Sequence, residues 1–135
     1  MSRLTSEEQA MLVDSAGRWL EGRPAGDAEA YWRGVGEMGW LAMALPESAG
    51  GLPSADADIC LLAEAMGRHL APDLYGPCGV QVGACLRAFG AALAPDAAQA
   101  VASGELRLAV AAQVLGQGPG APLPLLRAER APEGW

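Results

Sequence analysis

Residues 39–51 read GWLAMALPESAGG, and the rest of the chain is arranged on either side of this stretch. The stretch is apolar as far as Leu45 and then changes abruptly to residues that break regular structure. Pro46 biases the backbone of Leu45 away from the helical region, and Gly50 and Gly51 can take a positive φ without a steric clash. The stretch therefore predicts an apolar wall that ends in a rigid turn.

Amphipathic segments flank this stretch, two before it and three after it. Thr5 and Glu8 form a capping box for the first segment, Asp27 is a cap for the second, and Ser54 is a cap for the third. The inward face of the first comprises Met11, Leu12, Ala16, Trp19 and Leu20, and that of the third Ile59, Leu62, Ala63, Met66, Gly67 and Leu70. We expect five helices: Thr5 to Gly22, Asp27 to Gly39, Ser54 to Pro72, about Pro77 to Phe89, and Pro95 to Gly104.

Glycines inside the second predicted helix weaken it, because each costs about 1 kcal/mol relative to alanine. We interpret Gly34, Gly36 and Gly39 as points where another part of the backbone comes close. After Gly104 the pattern becomes alternating, and residues 106–110 read LRLAV, as in a strand with one buried face.

A second strand is expected over residues 123–130, where Pro124 would restrict it to a sheet edge. The predicted fold is mainly α: a helical bundle of about five helices with one or two short C-terminal β-strands.

The composition excludes several kinds of partner and site. The formal charge is −7 with a pI of about 4.5, which argues against nucleic acid and anionic membranes as partners. The chain has no lysine, and its three cysteines form no CxxC pair, so we expect neither a disulfide framework nor a metal site. No run approaches the roughly 18 apolar residues of a membrane span. A cytoplasmic protein fits these observations best.

Three motifs occur in order: residues 32–40 read WRGVGEMGW, residues 45–51 read LPESAGG, and residues 62–72 read LAEAMGRHLAP. Together they resemble the N-terminal helical domain of the acyl-CoA dehydrogenases. The segment from Leu106 and residues 127–135 resemble the first strands of that family's middle domain. The resemblance implies an N-terminal helical domain over residues 1–104 and the start of a truncated middle β-domain over 105–135.

The resemblance implies a flavoprotein that uses FAD to dehydrogenate the α,β bond of an acyl-CoA thioester. In that family a carboxylate in the C-terminal domain takes the α-proton, and the flavin takes the β-hydrogen as hydride. Residues 111–118 read AAQVLGQG and lack the Glu and the Ser-Asp of the family's flavin motif. We therefore expect that the chain contains no catalytic residue and lacks most of the flavin site, so that it is inactive alone.

In that family the acyl chain of the substrate runs past a helix, and this helix matches the present chain near residue 80. The resemblance therefore makes Val80, Gln81, Gly83 and Ala84 candidate substrate-binding residues. It also implies acyl-CoA as a ligand, and either a homo-oligomer or a partner subunit that supplies the missing domains.

Other ionisable residues have simpler structural explanations. Glu47 is a turn residue, Glu64 a helix-end or inter-helix hydrogen-bond partner, and His69 a residue that compensates a helix dipole, since none has a partner at acid–base spacing. Two further hypotheses stay open at this stage: a non-catalytic helical module that serves assembly through an exposed apolar face, and an unrelated helical bundle.

Overall fold

A computed structural model describes residues 4–22, 27–89 and 95–110. The α-helices are α1 (Ser6–Glu21), α2 (Ala28–Glu37), α3 (Trp40–Ala44), α4 (Asp56–Arg68), α5 (Gln81–Phe89) and α6 (Pro95–Ser103). A 3₁₀ turn (Glu47–Ala49) follows α3, and a π-helix (Tyr75–Val80) leads directly into α5. The expectation of a mainly helical fold is thus confirmed, and the described residues contain six α-helices instead of about five.

The additional helix lies in the stretch that opens the sequence analysis. Gly39 has a φ of 74°, which ends α2 and lets α3 start in a new direction. The apolar residues after it are the buried wall that the sequence predicts: Trp40, Leu41, Met43, Ala44 and Leu45. Leu45 is extended, as Pro46 requires, and Gly50 has a φ of 80°. A side chain at Gly51 would overlap the carbonyl of Leu45, so the turn is closed on itself.

The main core forms where α1 and α4 pack together with α2, α3 and the π-helix. Asp58, which is fully buried, joins α1 to α4. Its carboxylate accepts hydrogen bonds from the Leu4 amide at 3.3 Å, the Gln9 side chain at 2.8 Å and the Ala55 amide at 2.9 Å. A buried carboxylate is tolerated when several donors satisfy it, and these donors also fix where α1 begins.

A second cluster joins α5 and α6 to the end of α3. Its buried members are Leu45, Val82, Leu86 and Val101. Two glycines allow the helices to approach closely here. A Cβ at Gly36 would overlap the Ser103 carbonyl, and one at Gly83 would overlap the Ala44 carbonyl. The close approach expected at Gly36 is confirmed, whereas Gly39 serves through its positive φ.

Several predicted helix details are wrong. The Ser54 hydroxyl does not cap α4; it donates to the Met43 carbonyl at 2.6 Å, and the helix starts after Ala55. Met11 is 66% exposed and Leu70 is 88% exposed, so neither faces the core. Ala63 and Gly67 are exposed as well, because Asp58, Leu62 and Ala65 form the centre of the buried face of α4.

Leu70 closes α4 in the left-handed conformation, with a φ of 51°. Its amide donates to the Gly67 carbonyl at 3.1 Å, and the Ala71 amide donates to the Met66 carbonyl at 3.0 Å. This pair of bonds is the usual helix-ending motif in which glycine is preferred at the left-handed position. No sequence rule predicts a leucine there.

The strand expected over residues 106–110 is not found, and the described residues contain no strand at all. Leu106, Leu108 and Val110 are half-buried against the second cluster, while Arg107 and Ala109 are exposed. Within the described residues, the alternation therefore reflects burial of one face of an extended segment against helices. The second predicted strand, at 123–130, and the segment 111–118 lie outside the described residues.

Candidate functional site

The four candidate substrate-binding residues lie where the π-helix passes into α5. Val80 is half-buried and packs against the main core. Gln81 and Ala84 are exposed, three positions apart on the outer face of α5, whereas Gly83 is buried. The structure thus brings Val80, Gln81 and Ala84 to an accessible surface. Gly83 faces the interior, where its lack of a side chain lets α5 approach α3.

Contacts between α5 and the end of α3 fix the position of α5 and therefore of its outer face. These contacts meet at the Ala44 carbonyl. Gly83 lies against this carbonyl, and the Arg87 guanidinium donates a hydrogen bond to it at 2.6 Å. A carbonyl at a helix end has no partner within its helix, so an arginine from the neighbouring helix satisfies it. Sequence reasoning missed Arg87, because the contact joins residues 43 positions apart.

A π-helix before α5 sets the direction from which the chain enters this face. Pro77 lies in its first turn, where backbone amides have no helical acceptor, so the missing N–H of proline costs little. The Tyr75 hydroxyl donates to the Trp40 carbonyl at 3.3 Å, which ties the π-helix to α3. Single π-helical turns occur frequently at functional sites.

A depression of about 240 Å³ lies on another side of the π-helix, between α4 and the start of α2. Its lining includes Tyr31, Met66, Gly67, Asp73 and Tyr75. The Tyr31 hydroxyl donates to the Met66 sulfur at 3.3 Å. Sequence reasoning missed this depression because its residues come from three separate elements.

Burial raises the pKa of Tyr31 to about 12, with a smaller contribution from the nearby Asp73 carboxylate. Burial likewise raises the pKa of Tyr75, helped by its proximity to Tyr31 and Cys60. Both phenols are therefore neutral at ordinary pH and serve as packed aromatic side chains.

None of the candidate acid and base residues has a partner that would activate it for catalysis. Glu64 pairs with Arg68 one helical turn away, at the surface. The Nδ1 of His69 lies 2.9 Å from the Ala65 carbonyl, and its Nε2 lies 3.8 Å from Glu21. Glu47 is exposed in the 3₁₀ turn. The structure brings no two of Glu47, Glu64 and His69 together in a contact.

The described residues offer few free cationic groups to the diphosphate of a flavin dinucleotide. A dinucleotide diphosphate needs free cationic or amide donors, and most of the described arginines are engaged. Arg18 pairs with Asp14 at 2.8 Å, Arg107 lies 3.9 Å from Glu29, and Arg87 binds the Ala44 carbonyl. The depression at Tyr31 has a carboxylate on its rim and is too small for an isoalloxazine and its diphosphate chain.

Across residues 4–22, 27–89 and 95–110, no three His, Cys, Asp or Glu side chains come together as a metal-binding group. None of the helices described above is long and apolar enough to cross a lipid bilayer.

Comparison with known proteins gives a single result, and it concerns the helical part of the chain. The family model described as acyl-CoA dehydrogenase, N-terminal domain, matches residues 6–105. Neither a search of curated proteins nor a search of solved structures found a match. The family match stops short of the segment that resembles middle-domain strands, which is left without support. Since the match covers well over half of the sequence, the chain belongs to the acyl-CoA dehydrogenase family through its N-terminal domain.

Proposed function

We propose that this chain is the helical domain of a flavin-dependent acyl-CoA dehydrogenase, in which it contributes a wall to the site of the acyl chain. The single observation that carries the proposal is the family match over residues 6–105. We further propose that residues 1–104 are that domain and that 105–135 begin the next one. The end of the match near this boundary supports the division.

The wall that we propose is the outer face of the segment from Val80 to Ala84. The side chains of Val80, Gln81 and Ala84 are accessible there. On the opposite side of α5, Gly83 packs against the end of α3. Val80 and Ala84 are small and apolar, and on a rigid helix they suit an alkyl chain, because they pack along it without polar groups to desolvate. The Gln81 amide is polar and keeps its contact with water at the edge of this wall.

The FAD and the proton-abstracting carboxylate come, in this proposal, from a neighbouring domain or a partner subunit. Most of the described arginines are engaged in contacts within the chain, and neither Glu47 nor Glu64 has a partner that would activate it as a base. In this proposal dehydrogenation takes place in an assembly, either a homo-oligomer or a complex with a second subunit.

The proposal is tested on the complex that forms around the full chain in its own cells. A tagged chain is purified, and the visible spectrum of bound flavin is recorded before and after octanoyl-CoA is added without an electron acceptor. We expect a yellow complex that is bleached by the thioester. An Ala84→Trp variant should still assemble but bleach at least about tenfold more slowly, because an indole fills the acyl path.

The matched control is Ala10→Trp, which adds the same side chain at an exposed position of α1. It should bleach at the wild-type rate. A colourless complex that binds no octanoyl-CoA would contradict the proposal as a whole. A yellow complex in which Ala84→Trp equals Ala10→Trp would contradict the acyl wall alone.

A second function is favoured by the surface next to α3, which suits a non-catalytic assembly module. Met38 is 38% exposed and Leu52 is 49% exposed, and both adjoin Gly39. We take these two neighbouring apolar side chains as the surface through which such a module would contact another protein. A complex with stable subunit contacts through Met38 and Leu52, but without flavin or thioester binding, would favour this function.

A further inference from the structure

The depression beside the π-helix is separate from the proposed acyl wall and has its own chemistry. Met66 and Gly67 from the last turns of α4 form one side, and Tyr31 and Tyr75 contribute aromatic surface. The Tyr31 hydroxyl is engaged with the Met66 sulfur and the Tyr75 hydroxyl with the Trp40 carbonyl. Both rings are largely buried, with Tyr31 5% and Tyr75 3% exposed, so each presents only a small area of ring carbon to a ligand.

The rim of the depression carries one charged group, the carboxylate of Asp73. A Cβ at Gly76 would lie 3.5 Å from Asp73 Oδ1, which locates this oxygen at the start of the π-helix. Asp73 is exposed, and it makes no ion pair or hydrogen bond within the described part of the chain. Among the residues that line the depression there is no arginine or histidine.

These features are complementary to a positive charge with an apolar body. Aromatic surface attracts cations through the ring quadrupole, and a free carboxylate attracts them directly. The C-terminal end of α4 adds the negative end of a helix dipole. Anions and diphosphates are disfavoured for the same reasons.

The size of the depression restricts the ligand further. Its volume of about 240 Å³ is below the roughly 300–1,000 Å³ of sites for drug-sized molecules. We infer that this depression binds a small organic cation, an ammonium group carrying short alkyl substituents. The cation sits with its alkyl groups against Met66 and the tyrosine rings and its charge towards Asp73.

The test uses choline as the cationic probe and dimethylbutanol, in which a carbon atom replaces the choline nitrogen, as its neutral counterpart. Amide NMR chemical shifts of the full chain are followed during titration. Choline should give saturable shifts at Gly67, Asp73 and Gly76, and the neutral probe should bind clearly more weakly.

Two variants separate charge from shape. Asp73→Asn should weaken choline binding about fivefold, which is typical of losing one partly solvated charge pair, and leave the neutral probe unaffected. Ala63→Leu, which fills the depression from the exposed side of α4, should weaken both probes. Asp56→Asn is the matched control, since Asp56 is an exposed carboxylate at the opposite end of α4.

Clear results would overturn the inference. These are the absence of saturable shifts with choline, equal binding of the two probes, or an Asp73→Asn affinity equal to that of Asp56→Asn. Circular dichroism of each variant checks that the helices are intact. None of these outcomes depends on flavin or acyl-CoA, so the inference stands or falls apart from the proposed function.

Discussion

Gly36 is the second-last residue of α2, where the end of α6 crosses it. A methyl group there would overlap the carbonyl of Ser103 and also meet the amide of Gly104. Both are backbone atoms, which cannot move away as the end of a flexible side chain can. Gly67, by contrast, has no atom within 4 Å of the corresponding position. Two helical glycines thus have opposite environments.

We therefore predict opposite effects of the same substitution. Gly36→Ala should lower the free energy of unfolding by roughly 1–3 kcal/mol, because α2 and α6 must separate. Gly67→Ala should raise it by about 0.5–1 kcal/mol, because alanine is the better helix former and meets no obstacle. Urea unfolding followed by circular dichroism measures both. Equal changes in the two variants would contradict the close contact of α2 with α6.

At the scale of elements, local signals in the sequence identify helix starts well where the cap serves its own helix. The Thr5–Glu8 capping box and the Asp27 cap are both present, the latter accepting from the Ala30 amide at 2.9 Å. Ser54 was misassigned because its hydroxyl reaches back to Met43, and a sequence does not reveal which of two acceptors wins. The contact between α3 and α5 could not be predicted from the sequence either, since it depends on how helices distant in sequence cross.

That contact leads to a prediction about Arg87. Arg87→Met keeps much of the aliphatic stem and removes the donor to Ala44, so the free energy of unfolding should fall by about 1–2 kcal/mol. The matched control is Arg68→Met on α4, which removes an exposed pair with Glu64 and should cost about 0.5 kcal/mol or less. Urea unfolding of both variants provides the comparison. If the two substitutions cost the same, the hydrogen bond to Ala44 does not fix α5.

At the scale of the whole molecule, the ordered motifs predicted the helical fold and the family, and the periodicity predicted most of the helices. The described residues do not support the strand expected at 106–110, because alternating burial arises against helices as well as in a sheet. The candidate wall at Val80–Ala84 came from the resemblance alone and stays a prediction. The depression with Tyr31, Asp73 and Tyr75 could not be predicted, because three elements must fold before these residues meet.

The two tyrosines of the chain also make stability depend on alkaline pH. Burial raises the pKa of Tyr31 to about 12 and raises that of Tyr75 as well. The folded state therefore holds both phenols neutral above about pH 10, where the unfolded chain loses their protons. Their contribution to stability is complete below that pH and is lost as the pH rises towards the folded pKa values. The titration of each phenol lowers the free energy of unfolding by at most about 1.4 kcal/mol per pH unit in this window.

The Tyr31→Phe/Tyr75→Phe double variant removes every phenol from the chain and should lose this pH dependence. Its free energy of unfolding at neutral pH should be somewhat lower, because the hydrogen bonds to Met66 and Trp40 are gone. Tyrosinate absorbance and helical circular dichroism are followed together from neutral pH to about pH 12. In the wild-type chain the two signals should change together, because the phenols ionise as the core opens. Tyrosinate formation near pH 10 with full helical signal would instead mean that water reaches both rings in the folded state.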